Sequence, residues 1–224
     1  MKNITLIIPA KNESESLPIV LKNLKKFRFK ILVVLQKTDK KTIDSIKKFN
    51  VKIIYQTNNG YGDALIKGIN NCKSHFFCIF NADGSFRPKE IIKMQKMLIN
   101  QKLDFVFGSR YQNNSGSQDD TLLTFIGNYF FTKIGKLFFN LKITDILYTF
   151  VLGKTSKVKK LRLRQKNFSF CVELPIKAKR ANYKICTSKS FERARFAGEK
   201  KVNAFKDGLK ILSSMIKLFF NLKV

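Results

Sequence analysis

The feature that most constrains this chain is a regular alternation in its first half, where short β-rich runs alternate with stretches of helical spacing. The runs occupy residues 5–8, 31–35, 51–55, 76–80 and 105–108, and the helical stretches 17–27, 42–49, 61–71 and 88–100. The runs are almost continuously apolar, as in parallel strands covered on both faces. Strand–helix repetition with short connections predicts a doubly wound α/β architecture, a mostly parallel sheet with helices on both faces. Ser16 ahead of Leu17-Pro18 reads as a helix N-cap, and Pro88-Lys89-Glu90 opens the helix that follows the fourth run.

After Arg110 the pattern loosens. A polar loop at 112–120 leads into 122–141, helical in length and apolar around most of its circumference. Residues 144–160 are mixed and carry no assignment. A helix is predicted over 170–180, with Pro175 delaying its regular part to about Glu173. A basic loop at 191–201 precedes an amphipathic helix over 204–222. No repeat or low-complexity linker interrupts the chain, so the expected organisation is one domain over 1–203 and a C-terminal amphipathic helix over 204–224.

Composition excludes several chemistries. His75 is the sole histidine, and Cys72, Cys78, Cys171 and Cys186 include no Cys-x-x-Cys pair, which argues against zinc and against Ser-His-Asp or Cys-His catalysis. The net charge is +29, from 44 Lys+Arg against 15 Asp+Glu. Such a field draws polyanions: phosphorylated substrates, anionic lipid or nucleic acid. A lysine-rich background accounts for part of it. With no recognised binding module or stacking motif, nucleic acid is not an expected partner.

In open α/β sheets ligands bind beyond the carboxyl ends of the strands. The polar residues there are Pro9-Ala10-Lys11-Asn12-Glu13 after the first run, Asn81-Ala82-Asp83-Gly84-Ser85 after the fourth and Ser109-Arg110-Tyr111 after the fifth. The loop Asn58-Asn59-Gly60-Tyr61-Gly62-Asp63 opens the third helix. Asp83 at a strand end can hold Mg²⁺ or Mn²⁺ against a diphosphate, since magnesium commonly takes only one or two protein carboxylates. Read alone, Asp83-Gly84 is equally a turn. Gly60 and Gly62 would let backbone approach a ligand at a helix N-terminus, or simply form a loop. Arg110 is either a phosphate fork or a solvated arginine.

The ordered series Leu6-Ile7-Ile8-Pro9-Ala10-Lys11-Asn12-Glu13, Gly60-Tyr61-Gly62-Asp63-Ala64-Leu65, Asn81-Ala82-Asp83-Gly84 and Phe107-Gly108-Ser109-Arg110-Tyr111 resembles the family 2 glycosyltransferases. Within them it is most similar to the dolichol- and polyprenyl-phosphate sugar synthases. Lys142-Ile143-Thr144-Asp145, Glu173 and Arg195-Phe196-Ala197-Gly198-Glu199-Lys200-Lys201 continue the likeness. The resemblance implies a GT-A-type, Rossmann-like fold and transfer of a sugar from a nucleotide-diphosphate sugar to polyprenyl phosphate, with inversion. A saccharide or other soluble acceptor is the second reading, and a non-catalytic basic nucleic-acid-binding protein a distant third.

The roles implied are specific. Pro9, Ala10, Lys11, Asn12, Glu13, Gln36, Gly60, Gly62, Asp63, Asn81 and Ala82 would bind the nucleotide sugar. Asp83, Arg110, Asp145, Arg195 and Lys201 would act at the reacting phosphates, and Asp83, Asn81 and Ser85 would hold Mg²⁺ or Mn²⁺. Two departures stand out: Asn81 replaces the aspartate that usually opens the family's metal motif, and Gln36-Lys37-Thr38-Asp39 replaces its paired aspartates after strand two. No stretch reaches the roughly 18–20 apolar residues needed to span a bilayer. The lysine-flanked apolar faces of 122–141 and 204–222 suit an anionic membrane surface, or else packing on the sheet or a partner subunit. The wide apolar arc of 122–141 favours the membrane, and for 204–222 the two readings stand level. The expected location is cytoplasmic, peripheral on the membrane's cytoplasmic face.

Overall fold

The computed structural model describes residues 3–198 and 202–222. Its main sheet contains β1 (Ile4–Pro9), β2 (Lys30–Leu35), β3 (Lys52–Tyr55), β4 (Phe76–Ile79), β5 (Phe105–Ser109), β7 (Val151–Lys154) and β8 (Ile185–Lys189), in the order β3-β2-β1-β4-β7-β5-β8. All pairings are parallel except those of β7, which runs antiparallel between β4 and β5. A two-stranded ribbon pairs β6 (Gly116–Ser117) with β9 (Phe191–Glu192).

Continuous apolarity has the predicted consequence: successive strand residues feed opposite cores. Ile7, Val34, Phe77 and Phe105 belong to one core, with Ala64, Leu65 and Ile69 of α3 (Tyr61–Asn71), Phe131 of α5 (Leu122–Phe139), Val158 of α6 (Thr155–Lys160), Phe170 of α7 (Phe170–Arg180) and Ile211 of α8 (Ala204–Phe219). Leu6, Ile8, Val33, Leu35 and Val106 belong to the other, with Leu17 of α1 (Ser16–Leu24), Ile46 of α2 (Lys40–Ile46) and Ile91 of α4 (Pro88–Asn100). Helix α8 contributes Ile211, Met215 and Leu218 to the first core and packs on α5 and α7.

Local expectations need correction in places. Ser16 is not an N-cap: it is the first residue of α1, and its hydroxyl donates to the Glu13 carboxylate. Helix α2 begins earlier than its apolar spacing indicates because Asp39 caps it through Thr42 N–H. Pro175 does not postpone α7. The turn before it is closed by Cys171 N–H to Phe168 O and Glu173 N–H to Ser169 O, so the proline costs one intrahelical bond. Strand β7 lies in the unassigned stretch, where Gly153 is required because a Cβ would stand 2.3 Å from the Phe105 ring.

Candidate active site

The carboxyl ends of β1, β2 and β4 open on a cavity of about 400 Å³. Pro9, Ala10, Lys11, Glu13, Gln36, Gly60, Asn81, Ala82, Asp83, Arg110 and Arg195 line it, so eleven of the expected residues share one wall system. Asn12 does not line it. Its backbone adopts φ 53°, and its N–H is held by the Asp39 carboxylate at 2.7 Å, which turns the β1 loop.

Asp83 sits in a turn made by Gly84 at φ +87°. Its Oδ1 accepts from Ser85 N–H at 2.9 Å and from Ser85 Oγ at 2.7 Å, and Asn81 Nδ2 donates to the same hydroxyl at 3.3 Å. Ser85, expected as a third metal contact, is buried outside the cavity lining, and its hydroxyl joins Asp83 to Asn81. The segment after β9 straps this turn down. Phe196 N–H bonds Asp83 O at 2.8 Å, Arg193 Nη2 bonds the carbonyls of Gly84 and Phe86, and the Phe196 ring occupies the space a Gly84 Cβ would need.

A divalent ion fits these residues. Among the described residues no cluster of three or more His, Cys, Asp or Glu forms a cage, and Asp83 Oδ2 accepts no hydrogen bond. Among the described residues, the charged side chains lining the cavity are Lys11, Arg110 and Arg195 against Glu13, Asp83, Asp119, Asp120 and Glu192, more carboxylates than cations within a strongly basic chain. One protein carboxylate, with diphosphate and water completing the shell, is a normal Mg²⁺ arrangement.

Arg110 is placed differently from a free phosphate fork. Its Nε and Nη2 bond Asp145 at 2.8 and 3.0 Å, Nη1 bonds Glu192 at 3.0 Å, and its guanidinium lies 4.7 Å from the Tyr148 ring centre. Asp145, 1% exposed, also accepts from Arg110 N–H and Asn128 Nδ2. Arg110 and Asp145 therefore organise the wall. Arg195 pairs with Asp119 at 2.8 Å and lines the cavity, as does Lys11. Lys201, and Glu199 and Lys200 beside it, lie outside the described residues.

The α3 N-terminus is likewise corrected. A Cβ on Gly60 or Gly62 would stand 2.1 Å from the carbonyl oxygen of Lys166 or Gln165 respectively. Both glycines thus admit the loop before α7; Gly60 also lines the cavity, whereas Gly62 and Asp63 fall outside its lining. Asp63 accepts from Asn58 N–H and Nδ2, ordering the adjoining loop. Buried Glu173 fixes the approaching loop by accepting from the N–H groups of Arg164 and Gln165. Gly62→Ala is expected to destabilise the fold by about 3 kcal/mol in urea denaturation, because backbone must shift to admit the methyl. A loss under about 1 kcal/mol would show that the loop yields freely.

Several lining residues carry no warning in the sequence: Tyr61, Thr149, Phe168 and Cys171 come together only through the packing of α3, α7 and the chain before β7. Asn128, a lone amide within an apolar helix, is the one legible sign that α5 faces something polar. Burial pushes the Cys171 thiol up to about 12, so it stays protonated and is no nucleophile.

The sheet, with one late strand antiparallel in a parallel frame, and the carboxylate after β4 define the GT-A class of glycosyltransferase folds. Residues 5–162 match the model of glycosyl transferase family 2, and the chain belongs to that family. It is 27% identical over 208 residues to a UDP-N-acetylglucosamine–dolichyl-phosphate N-acetylglucosaminyltransferase of Methanococcus voltae, covering 82% of this chain and 83% of that protein. It is 32% identical over 147 residues to an uncharacterized protein of Methanocaldococcus jannaschii, a match spanning 63% of this chain and 60% of that one. Among solved structures, glucosyl-3-phosphoglycerate synthase of Mycobacterium tuberculosis, in complex with Mn²⁺, UDP and glucosyl-3-phosphoglycerate, superposes with TM-score 0.77 at 9% identity. That superposition covers 99% of this chain and 81% of the synthase. The same synthase is also known with Mg²⁺ and UDP.

Proposed function

We propose that the protein transfers a sugar from a nucleoside-diphosphate sugar to a polyprenyl phosphate. The observation that carries the acceptor assignment is the two-sidedness of α5. Thr124 and Asn128 line the cavity, while Phe125, Ile126, Tyr129 and Phe130 stand exposed on the helix's outer surface. Leu137 and Phe138 extend that surface, and α8 adds Phe219 and Phe220, with Phe138 and Phe219 in edge contact at 5.6 Å. An apolar patch of this kind beside lysines 133, 136 and 217 suits anionic lipid at the membrane's cytoplasmic face. No helix among the described residues is long and apolar enough to cross a membrane, consistent with peripheral contact. Residues 1–203 would form the transferase domain and 204–224 its helical extension.

The chemistry asks little proton transfer of the protein. An acceptor phosphate oxygen, already anionic, attacks the anomeric carbon as the bond from that carbon to the β-phosphate oxygen breaks, and the nucleoside diphosphate leaves. Single displacement inverts the anomeric centre. The β1 loop and Gln36 would hold the nucleoside, and Asp83 with Asn81 would hold Mg²⁺ or Mn²⁺. When bound, that ion neutralises charge on the departing diphosphate. Arg195, drawn from Asp119, would screen the approaching acceptor phosphate, and the Arg110–Asp145 wall would fix the in-line geometry.

A soluble, hydroxyl-bearing acceptor is the second reading. It is favoured by Asp119, Asp120 and Glu192, carboxylates in the cavity wall suited to accept hydroxyl protons. The test is transfer from a panel of UDP-sugars to polyprenyl phosphate in phosphatidylglycerol vesicles, with and without Mn²⁺. Metal-dependent glycolipid formation is expected, with vesicle flotation that rises with anionic lipid and falls with salt. Transfer to water-soluble acceptors alone, without flotation at low salt, would replace the first reading by the second.

A further inference from the structure

We propose that Arg193 is a positioning residue for the Asp83 turn: from outside the cavity lining it fixes the peptide group that aims the Asp83 carboxylate at the divalent ion. The inference rests on the metal-assisted reading above and deepens it. Four consecutive carbonyls of the turn accept hydrogen bonds from the strap. Asp83 O takes Phe196 N–H at 2.8 Å, and Ser85 O takes Arg193 N–H at 2.9 Å. Arg193 Nη2 spans the other two, Gly84 O at 2.7 Å and Phe86 O at 2.9 Å. Among the described residues no other donor reaches these carbonyls.

The link from Arg193 to the carboxylate is one peptide plane long. Gly84 C=O and Ser85 N–H belong to the same trans peptide, so they point in opposite directions. Arg193 holds the carbonyl end, and Asp83 Oδ1 accepts from the amide end at 2.9 Å. A cationic donor on the carbonyl also polarises the amide and strengthens its far bond. With Oδ1 held in this way, Oδ2 is the oxygen left for the ion. Gly84, at φ +87° and without a side chain, offers little resistance to rotation of that plane, so its orientation depends on the strap. The arrangement is kept at some expense to Arg193 itself. Its Nε is buried without an acceptor among the described residues, and burial, then the neighbouring Arg87, lowers its pKa. Its guanidinium bonds are spent on the turn.

The experiment titrates the full chain with UDP and with GDP by calorimetry, once in Mn²⁺ and once in EDTA. For the nucleotide that binds more tightly, the ratio of the two affinities is the metal's contribution. Arg193→Ala is expected to lower that ratio about tenfold or more, as removal of a partner that orients a metal ligand commonly does, with the affinity in EDTA unchanged. Arg193→Lys should restore most of it, since one ammonium carries the two donors that Nη2 supplies. Should Arg193→Ala lose its thermal transition, Arg193→Met keeps an apolar stem against the Phe196 ring while removing the donors, and the same fall in the ratio is expected of it. A parent-like ratio in the folded variant, with only its thermal midpoint lowered, would make the contact structural alone and overturn the proposal. A fall in nucleotide affinity in EDTA would put Arg193 on the diphosphate and overturn it too. A parent chain whose nucleotide affinity is not raised by Mn²⁺ would instead remove the metal reading, and one that binds neither nucleotide the donor reading itself.

Discussion

Replacing Asp83 by alanine is expected to reduce metal-dependent sugar transfer by about 10²- to 10³-fold, the range for loss of one well-placed charge-stabilising group. The fold should survive, because Asp83 belongs to no core: its side chain bonds only Ser85 among the described residues, and its backbone carbonyl still receives Phe196 N–H. Asp83→Asn separates charge from position. The carboxamide can still accept from Ser85 N–H and so keep the turn, yet it removes the anionic ligand. Both variants should show weakened Mn²⁺ dependence and unchanged far-ultraviolet circular dichroism. Unaltered turnover in Asp83→Ala would move the reacting diphosphate away from this turn.

Arg110→Ala is expected to cost about 3–5 kcal/mol of stability, the usual consequence of removing one partner from a buried ion pair. Its guanidinium is 11% exposed and the Asp145 carboxylate 0%, so solvent does little to soften the loss. Alanine would leave Asp145, Glu192 and Asp120 facing one another without their shared cation. Arg110→Lys should recover only part of the deficit, since a single ammonium cannot bond Asp145 at two points and Glu192 at a third. Urea denaturation followed by circular dichroism measures both. A loss below about 1 kcal/mol for Arg110→Ala would mean that the wall reorganises around the missing side chain.

The structure departs from the sequence reading where a residue's partner is remote in the chain. β1, β2, β4 and β5 are legible because each is an unbroken apolar run feeding two cores. β7 is not, because four residues containing a glycine and a lysine leave no periodicity to read. β8 hides for a different reason: Cys186, Thr187 and Ser188 form a sheet edge and need not be strongly apolar. At the cavity, the placement of Asp83 in the lining follows from its position after β4. Gly62 was misleading because the carbonyl it accommodates belongs to Gln165, and Arg110 because its partners are Asp145 and Glu192. A glycine or an arginine announces a close neighbour without saying whether that neighbour is ligand or chain.

The late insertion of β7 bears on how the chain is made. Strands β4 and β5 are never paired with each other; each borrows an edge of the segment Val151–Lys154. During synthesis from the amino end, the ribosome delivers β3, β2, β1 and β4 as a self-consistent parallel block with one raw edge, and β5 follows with nothing beside it. The facing edges of β4 and β5 are templates for wrong pairing until residue 154 has emerged, and the other edge of β5 waits for β8 at Ile185–Lys189. A nascent chain of this protein therefore passes through a window of about 45 residues, between the end of β5 at Ser109 and the end of β7 at Lys154, in which the Asp83 turn already exists but its sheet is still two pieces.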